Sequence, residues 1–143
     1  MTLAPDLAPS SRSLTLGRVV VLIRDYDEAL AFYRSAFGAS VLFDAPSPNG
    51  DRYLHLGFGP DASAGVWLLR ATGEATARVG RQTGGEPLAV FYTSDLRAAV
   101  ARAAAGGAEI VRPVESADGA SFAHVTDLYG NVFVLVELSS AAA

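Results

Sequence analysis

Arg18-Val-Val-Val-Leu-Ile-Arg-Asp25 and Leu88-Ala-Val-Phe-Tyr-Thr-Ser-Asp95 are one pattern written twice, seventy residues apart. Each is a short apolar run, rich in β-branched and aromatic residues, that ends in Asp; each predicts a buried strand running into a helix N-cap. After Asp25, Ala29, Phe32, Tyr33 and Ala36 recur at helical spacing, and Gly38 follows as a residue able to take positive φ. After Asp95, Leu96, Ala99, Val100 and Ala103 repeat that spacing and Gly106-Gly107 ends it. Glu28 stands three residues past Asp25, the spacing of a reciprocal capping box; Asp95 has no such partner. A short strand follows each helix, at 39–43 and 108–112, then a Pro/Asp/Gly loop and two further strands, at 52–58 and 65–71 and again at 121–126 and 131–138. The order is βαβββ, twice, and an internal repeat decides architecture before any single motif does.

Working outward, the expected organisation is a disordered tail over 1–15, a first module over 16–71, a linker or flap over 72–86, a second module over 87–138 and a frayed end over 139–143. Both modules belong to one α+β domain. Of the 143 residues, 50% are hydrophobic and 18% charged, a balance that excludes a disordered chain. The absence of Cys excludes disulfides, thiolate catalysis and zinc knuckles. Two His, His55 and His124, exclude a histidine-rich metal site. The formal charge is −4 and all eleven basic residues are Arg, scattered without a cluster, so nucleic acid is not an expected partner. The longest aliphatic runs fall far short of the ~20 residues of a spanning helix. With no apolar stretch near the start of the chain, a cytoplasmic location is expected.

The paired modules, with Asp25-Tyr-Asp-Glu-Ala-Leu-Ala-Phe-Tyr33 early and Asp127-Leu-Tyr-Gly-Asn131 before the last strand, resemble the vicinal oxygen chelate superfamily. That group includes glyoxalase I, bleomycin-resistance proteins, fosfomycin-resistance enzymes and extradiol dioxygenases. The resemblance covers about residues 16–138. It implies that the sheets form a cup with the helices on its outer faces, and that two half-cups enclose a ligand. It also implies a homodimer with ligand sites at the subunit boundary. The metal-dependent members take ligands, commonly two His and one Glu, from the first strand of each module and from the last strand. Those positions here are Arg18, Leu88 and Val134: a guanidinium and two aliphatics, none able to hold a hard divalent ion. No cofactor and no metal ligand are therefore expected.

The turn at 127–130 reads as a three-residue hairpin loop with Gly130 in the left-handed region, which pairs Asp127 with Asn131 and His124 with Val134. Alternation then places Phe122, His124 and Thr126 on the cup face with Val132, Val134 and Val136. The same parity puts Arg18, Val20 and Leu22, and Leu88, Val90 and Tyr92, in the cup. His55 holds the place in the first module that His124 holds in the second. Either His is a locally bonded strand residue, a ligand-binding or acid–base group, or half of an incomplete metal site. Arg18 meets a ligand anion or pairs with an acidic neighbour near solvent. Trp67, the single Trp, lines the cup or packs under a helix according to register. In the connection, Arg81, Gly84 and Gly85 form a candidate flap, although the segment lacks the phosphate-loop pattern.

Two functions follow. The first is a metal-independent binding protein that sequesters or carries a small, partly apolar molecule, as in the bleomycin-resistance branch. The alternative is a glyoxalase-type lyase or isomerase, or a dioxygenase, with a divalent metal on unconventional ligands. The residue set leans away from catalysis.

Overall fold

Residues 13–60 and 64–139 are described by a computed structural model. The chain runs β1 (Arg18–Ile23), α1 (Tyr26–Phe37), β2 (Ser40–Pro46), β3 (Arg52–Gly57) and β4 (Gly65–Arg70), then a 3₁₀ turn (Gly73–Arg78). It continues through β5 (Pro87–Tyr92), α2 (Leu96–Ala105), β6 (Ile110–Ala117), β7 (Ala120–Thr126) and β8 (Val132–Leu138). The two sheets have the same strand order, β1-β4-β3-β2 and β5-β8-β7-β6. In each, the first strand pairs parallel with the last and the remaining pairs are antiparallel. The βαβββ repeat and the two-module α+β fold are thus those expected. The expected tail residues 1–12 and end residues 140–143 lie outside the described residues.

Period-two alternation assigns the faces. Val21, Ile23, Leu54, Leu56 and Leu68 of the first sheet are buried, as are Ala123, Val125, Phe133 and Leu135 of the second. Both sets meet the apolar stripes of α1 and α2 in a single core. Its centre is aromatic: Phe58, just past β3, lies 4.8 Å from Phe91 of β5, and Phe91 stacks on Phe133 of β8 at 5.4 Å. The helix-covered faces therefore share one interior, and the open faces of both sheets turn away from it. The helices meet at Gly106, where a Cβ would lie 2.6 Å from Ala36 Cα; only a hydrogen fits.

Both Asp residues cap as expected: Asp25 accepts from Glu28 N at 2.8 Å and Asp95 from Ala98 N at 3.1 Å. Gly38 ends α1 at φ +69°. The reciprocal arm of the capping box is not made. Glu28 accepts instead from the Tyr129 hydroxyl at 2.9 Å, and Asp25 N points to that same oxygen. A contact a hundred residues away has displaced the local one, tying the start of α1 to the β7–β8 turn.

That turn is the tightest polar knot in the fold. Asp127, 3% exposed, accepts at Oδ1 from the backbone N–H groups of Tyr129, Gly130 and Asn131. Its Oδ2 accepts from the Tyr33 hydroxyl at 2.7 Å and from Asn131 Nδ2 at 2.9 Å. Burial, with Asp127 alongside, raises the Tyr33 hydroxyl well above its ordinary pKa, so it stays a donor.

Residues 72–86 are docked. Gln82 lies along the free edge of β1, accepting from Leu22 N at 2.9 Å and donating to Val20 O at 2.6 Å, so its amide pairs with that edge as a strand would. Gly80, at φ +79°, rests on Tyr129: a Cβ there would meet the Tyr129 carbonyl oxygen at 1.8 Å. Arg81, Gly84 and Gly85 lie exposed in the adjoining turn.

Candidate ligand site

The open face of the first sheet carries the densest set of chemically able side chains. Parallel pairing sets Val20 beside Trp67, and antiparallel pairing sets His55 beside Trp67 and Phe43 beside His55. A row of rings results: Phe43 to His55 at 5.5 Å, His55 to Trp67 at 5.8 Å and Trp67 to Tyr53 at 6.1 Å. Arg18 closes it, its Nε donating to His55 Nδ1 at 3.1 Å. Arg18 also donates to the Gly17 carbonyl at 2.8 Å. Because Nδ1 accepts, a neutral His55 carries its proton on Nε2.

Burial first, and then the Arg18 charge, lower the His55 pKa below its ordinary value. The sign follows from linkage. In the unfolded chain His55 takes up a proton near pH ~6.5 and in the fold it resists doing so, so its contribution is whole above that pH and is lost as pH falls below it. Urea midpoints of wild type are therefore expected to drop between pH 7.5 and pH 5, and His55→Phe to remove part of that drop. Equal slopes in the two proteins would show that His55 is not the group.

Trp67 Nε1 is buried and has no hydrogen-bond partner among the described residues. A desolvated donor left unpaired costs about 1–3 kcal/mol. Beside it, Tyr53, Trp67 and Leu69 line a cleft of about 430 Å³ whose rim is Tyr26, Arg52 and the 47–51 loop. On that rim Arg70 pairs with Asp51 at 3.3 Å, and Arg52 with Asp27 and Asp44 at 2.9 and 2.8 Å. Its hydrogen bonds to Arg52 hold the Asp44 carboxyl below its usual pKa.

The second sheet's open face is apolar and thinly covered. Val90 and Tyr92 are 51% and 73% exposed, with Val132, Val134 and Val136 half-buried beside them. Register pairs His124 with Val134 and Phe122 with Val136, and the turn closes with Asp127 N donating to Asn131 O at 2.9 Å. Arg112 lies over the Phe122 ring at 5.6 Å and pairs with Glu115 at 3.0 Å.

Arg18, Val20, Leu22 and His55 thus share one open face, and Val90, Tyr92, Phe122, His124 and Val134 share the other. Leu88 departs from the expected parity: register slips between Pro87 and Ala89, and Leu88 packs on the hydrophobic core. A bulge residue escapes alternation. Phe43 and Tyr53 were not singled out by the sequence, because a bulge in β2 and a long β3–β4 loop leave their faces unspecified by local pattern, nor was Gln82, which lies in the connection between the modules, outside any strand period. The two His lie on open faces of different sheets, and His55 spends Nδ1 on Arg18. Among the described residues no three of His, Asp or Glu converge as a metal site needs.

The sequence matches the Glyoxalase/Bleomycin resistance protein/Dioxygenase superfamily over residues 15–135. The chain belongs to that superfamily. A protein of Shewanella frigidimarina, named only as uncharacterized, is 29% identical over 124 residues, which is 85% of this chain and 91% of the relative. Among solved structures, UcmS2 superposes with a TM-score of 0.75 at 24% identity, over 87% of this chain and 98% of its own. TnmS3, described as an antibiotic binding protein from Streptomyces sp. CB03234, gives 0.72 at 23% identity over 89% and 98%. At these identities the superpositions speak for the superfamily fold. No helix among the described residues is long and apolar enough to cross a membrane.

Proposed function

We propose that this superfamily member binds and sequesters a small, partly apolar, ring-containing molecule, without a metal. The observation that carries the reading is the open face of the first sheet, where Phe43, Tyr53, His55 and Trp67 form a continuous aromatic wall ended by Arg18. Apolar rings with a few placed polar groups have the composition of a ligand pocket. The description of TnmS3 as antibiotic binding agrees with it. The resemblance places Arg18, Leu88 and Val134 at the superfamily's metal-ligand positions, which supports the metal-free reading. Fluorescence of Trp67, the single Trp, reads the test directly: planar aromatic compounds should quench or shift it saturably, in protein stripped of metal as in protein loaded with Ni²⁺ or Zn²⁺. Binding that needs the metal would overturn the metal-free reading.

A second copy of the chain completes the site. Both open faces turn away from the shared core, so each half-cup of one chain lacks its opposite half, and Val90 and Tyr92 leave an apolar surface of the kind that pairs with another chain. Tyr92→Glu with Val90→Glu is expected to convert a dimer to a monomer in sedimentation while leaving the helical signal intact, and to weaken ligand binding at least about tenfold. A wild-type monomer that binds ligand at full strength would exclude the arrangement.

A further inference from the structure

The polar side chains on the open face of the first sheet share one property. Trp67 offers an N–H and nothing else; Arg18 has donors only; neutral His55, with Nδ1 taken by Arg18, presents an N–H at Nε2. Only the Tyr53 hydroxyl both gives and accepts. Among the described residues no carboxylate lies on this face: Asp44 is on the opposite side, paired with Arg52, and Asp51 sits on the rim, holding Arg70 and Arg52 N. One of those donors, Trp67 Nε1, is buried and unpartnered among the described residues, at the edge of a cleft that its own ring lines. A desolvated, unpaired donor beside a cleft discriminates sharply, because a ligand that supplies an acceptor removes a standing cost and one that does not leaves it in place.

We propose that Trp67 Nε1–H is the specificity-determining donor of this face, selecting a flat aromatic ligand that carries an accepting oxygen, either a carboxylate or an enolate. The proposal rests on the ligand-binding reading above and names the ligand class of that same site. The aromatic row stacks the ring and the indole N–H takes the oxygen. A cationic ligand of the same shape leaves the indole N–H unpaired and is bound less tightly.

Three probes of one shape test it with the full chain: naphthoate, naphthalenemethanol and naphthylmethylammonium. Calorimetry should find naphthoate bound at least about tenfold more tightly than the ammonium compound, the discrimination expected of one hydrogen bond to a charged acceptor. Trp67→Phe, which keeps a ring and removes the N–H, should cut that preference to within about twofold, with naphthalenemethanol, a neutral and weaker acceptor, losing less than naphthoate. The wild-type protein gives a second reading that needs no variant to fold: its single indole N–H signal in nitrogen-edited NMR should move downfield with naphthoate and not with the ammonium compound. Equal affinity for the three probes, or an indole signal indifferent to naphthoate, overturns the selection by Trp67 and leaves the binding reading standing. Failure of wild type to bind any of the three overturns both.

Discussion

Replacing Asp127 with Ala is expected to cost about 4 kcal/mol of folding stability, near the top of the range for a single substitution. The carboxylate closes the β7–β8 turn on three backbone N–H groups and reaches the Tyr33 hydroxyl and the Asn131 amide with its other oxygen. Removing it strands the donors of Asn131 and Tyr33 where water does not replace it, since both residues are buried, whereas the exposed Gly130 N keeps the Asp127 carbonyl at 3.3 Å. Hydrogen bonds to a charged acceptor are worth ~1.5–3 kcal/mol each but are not additive within one network. Tyr33→Phe deletes one arm and should cost only ~1–2 kcal/mol. Urea denaturation of wild type and both variants measures the pair. A loss below about 1 kcal/mol for Asp127→Ala would mean that the knot does not hold the turn against α1.

The second large effect concerns the connection between the modules. Gly80→Ala places a Cβ 1.8 Å from the Tyr129 carbonyl oxygen at φ +79°, so it meets a rigid backbone atom and a conformational penalty together. The combined cost is expected to be about 3 kcal/mol, taken as detachment of the connection from the turn. Because Gln82 then leaves the β1 edge, exchange of the Leu22 amide, which Gln82 Oε1 accepts, should speed at least about tenfold. Gly84→Ala is the contrast. It has φ +70° but open space around it, so the loss should be only ~1 kcal/mol and the Leu22 amide should stay protected. If Gly80→Ala and Gly84→Ala behave alike, the contact with Tyr129 contributes nothing.

These effects meet at the elements that present the open face of the first sheet. Gln82 steadies β1, which carries Arg18, Val20 and Leu22; Tyr129 links the same turn to Glu28 at the head of α1. The aromatic wall is thus supported by groups that lie outside it.

Much of this was legible in the chain. The repeated strand-to-helix run fixed the order of elements, because caps and apolar periodicity act within about ten residues. The 127–130 turn fixed the β7–β8 register, and with it the face of His124, since a turn of defined type leaves no freedom in pairing. Alternation likewise put Arg18, Val20 and Leu22 on one face of β1.

Wherever a side chain's face depended on a distant partner or a bulge, the chain alone did not decide it. Leu88 went to the core because β5 slips by a residue there. Trp67 was assignable only once β4 was seen between β1 and β3, an order that a long loop does not encode. Glu28 abandoned its local cap for a tyrosine from the other module. The sequence by itself determined two βαβββ modules and their helix boundaries. Only the tertiary structure decided that one shared core turns both open faces outward and gathers Phe43, Tyr53, His55 and Trp67 into a single wall, because strand pairing and core packing are long-range and no local signal records them.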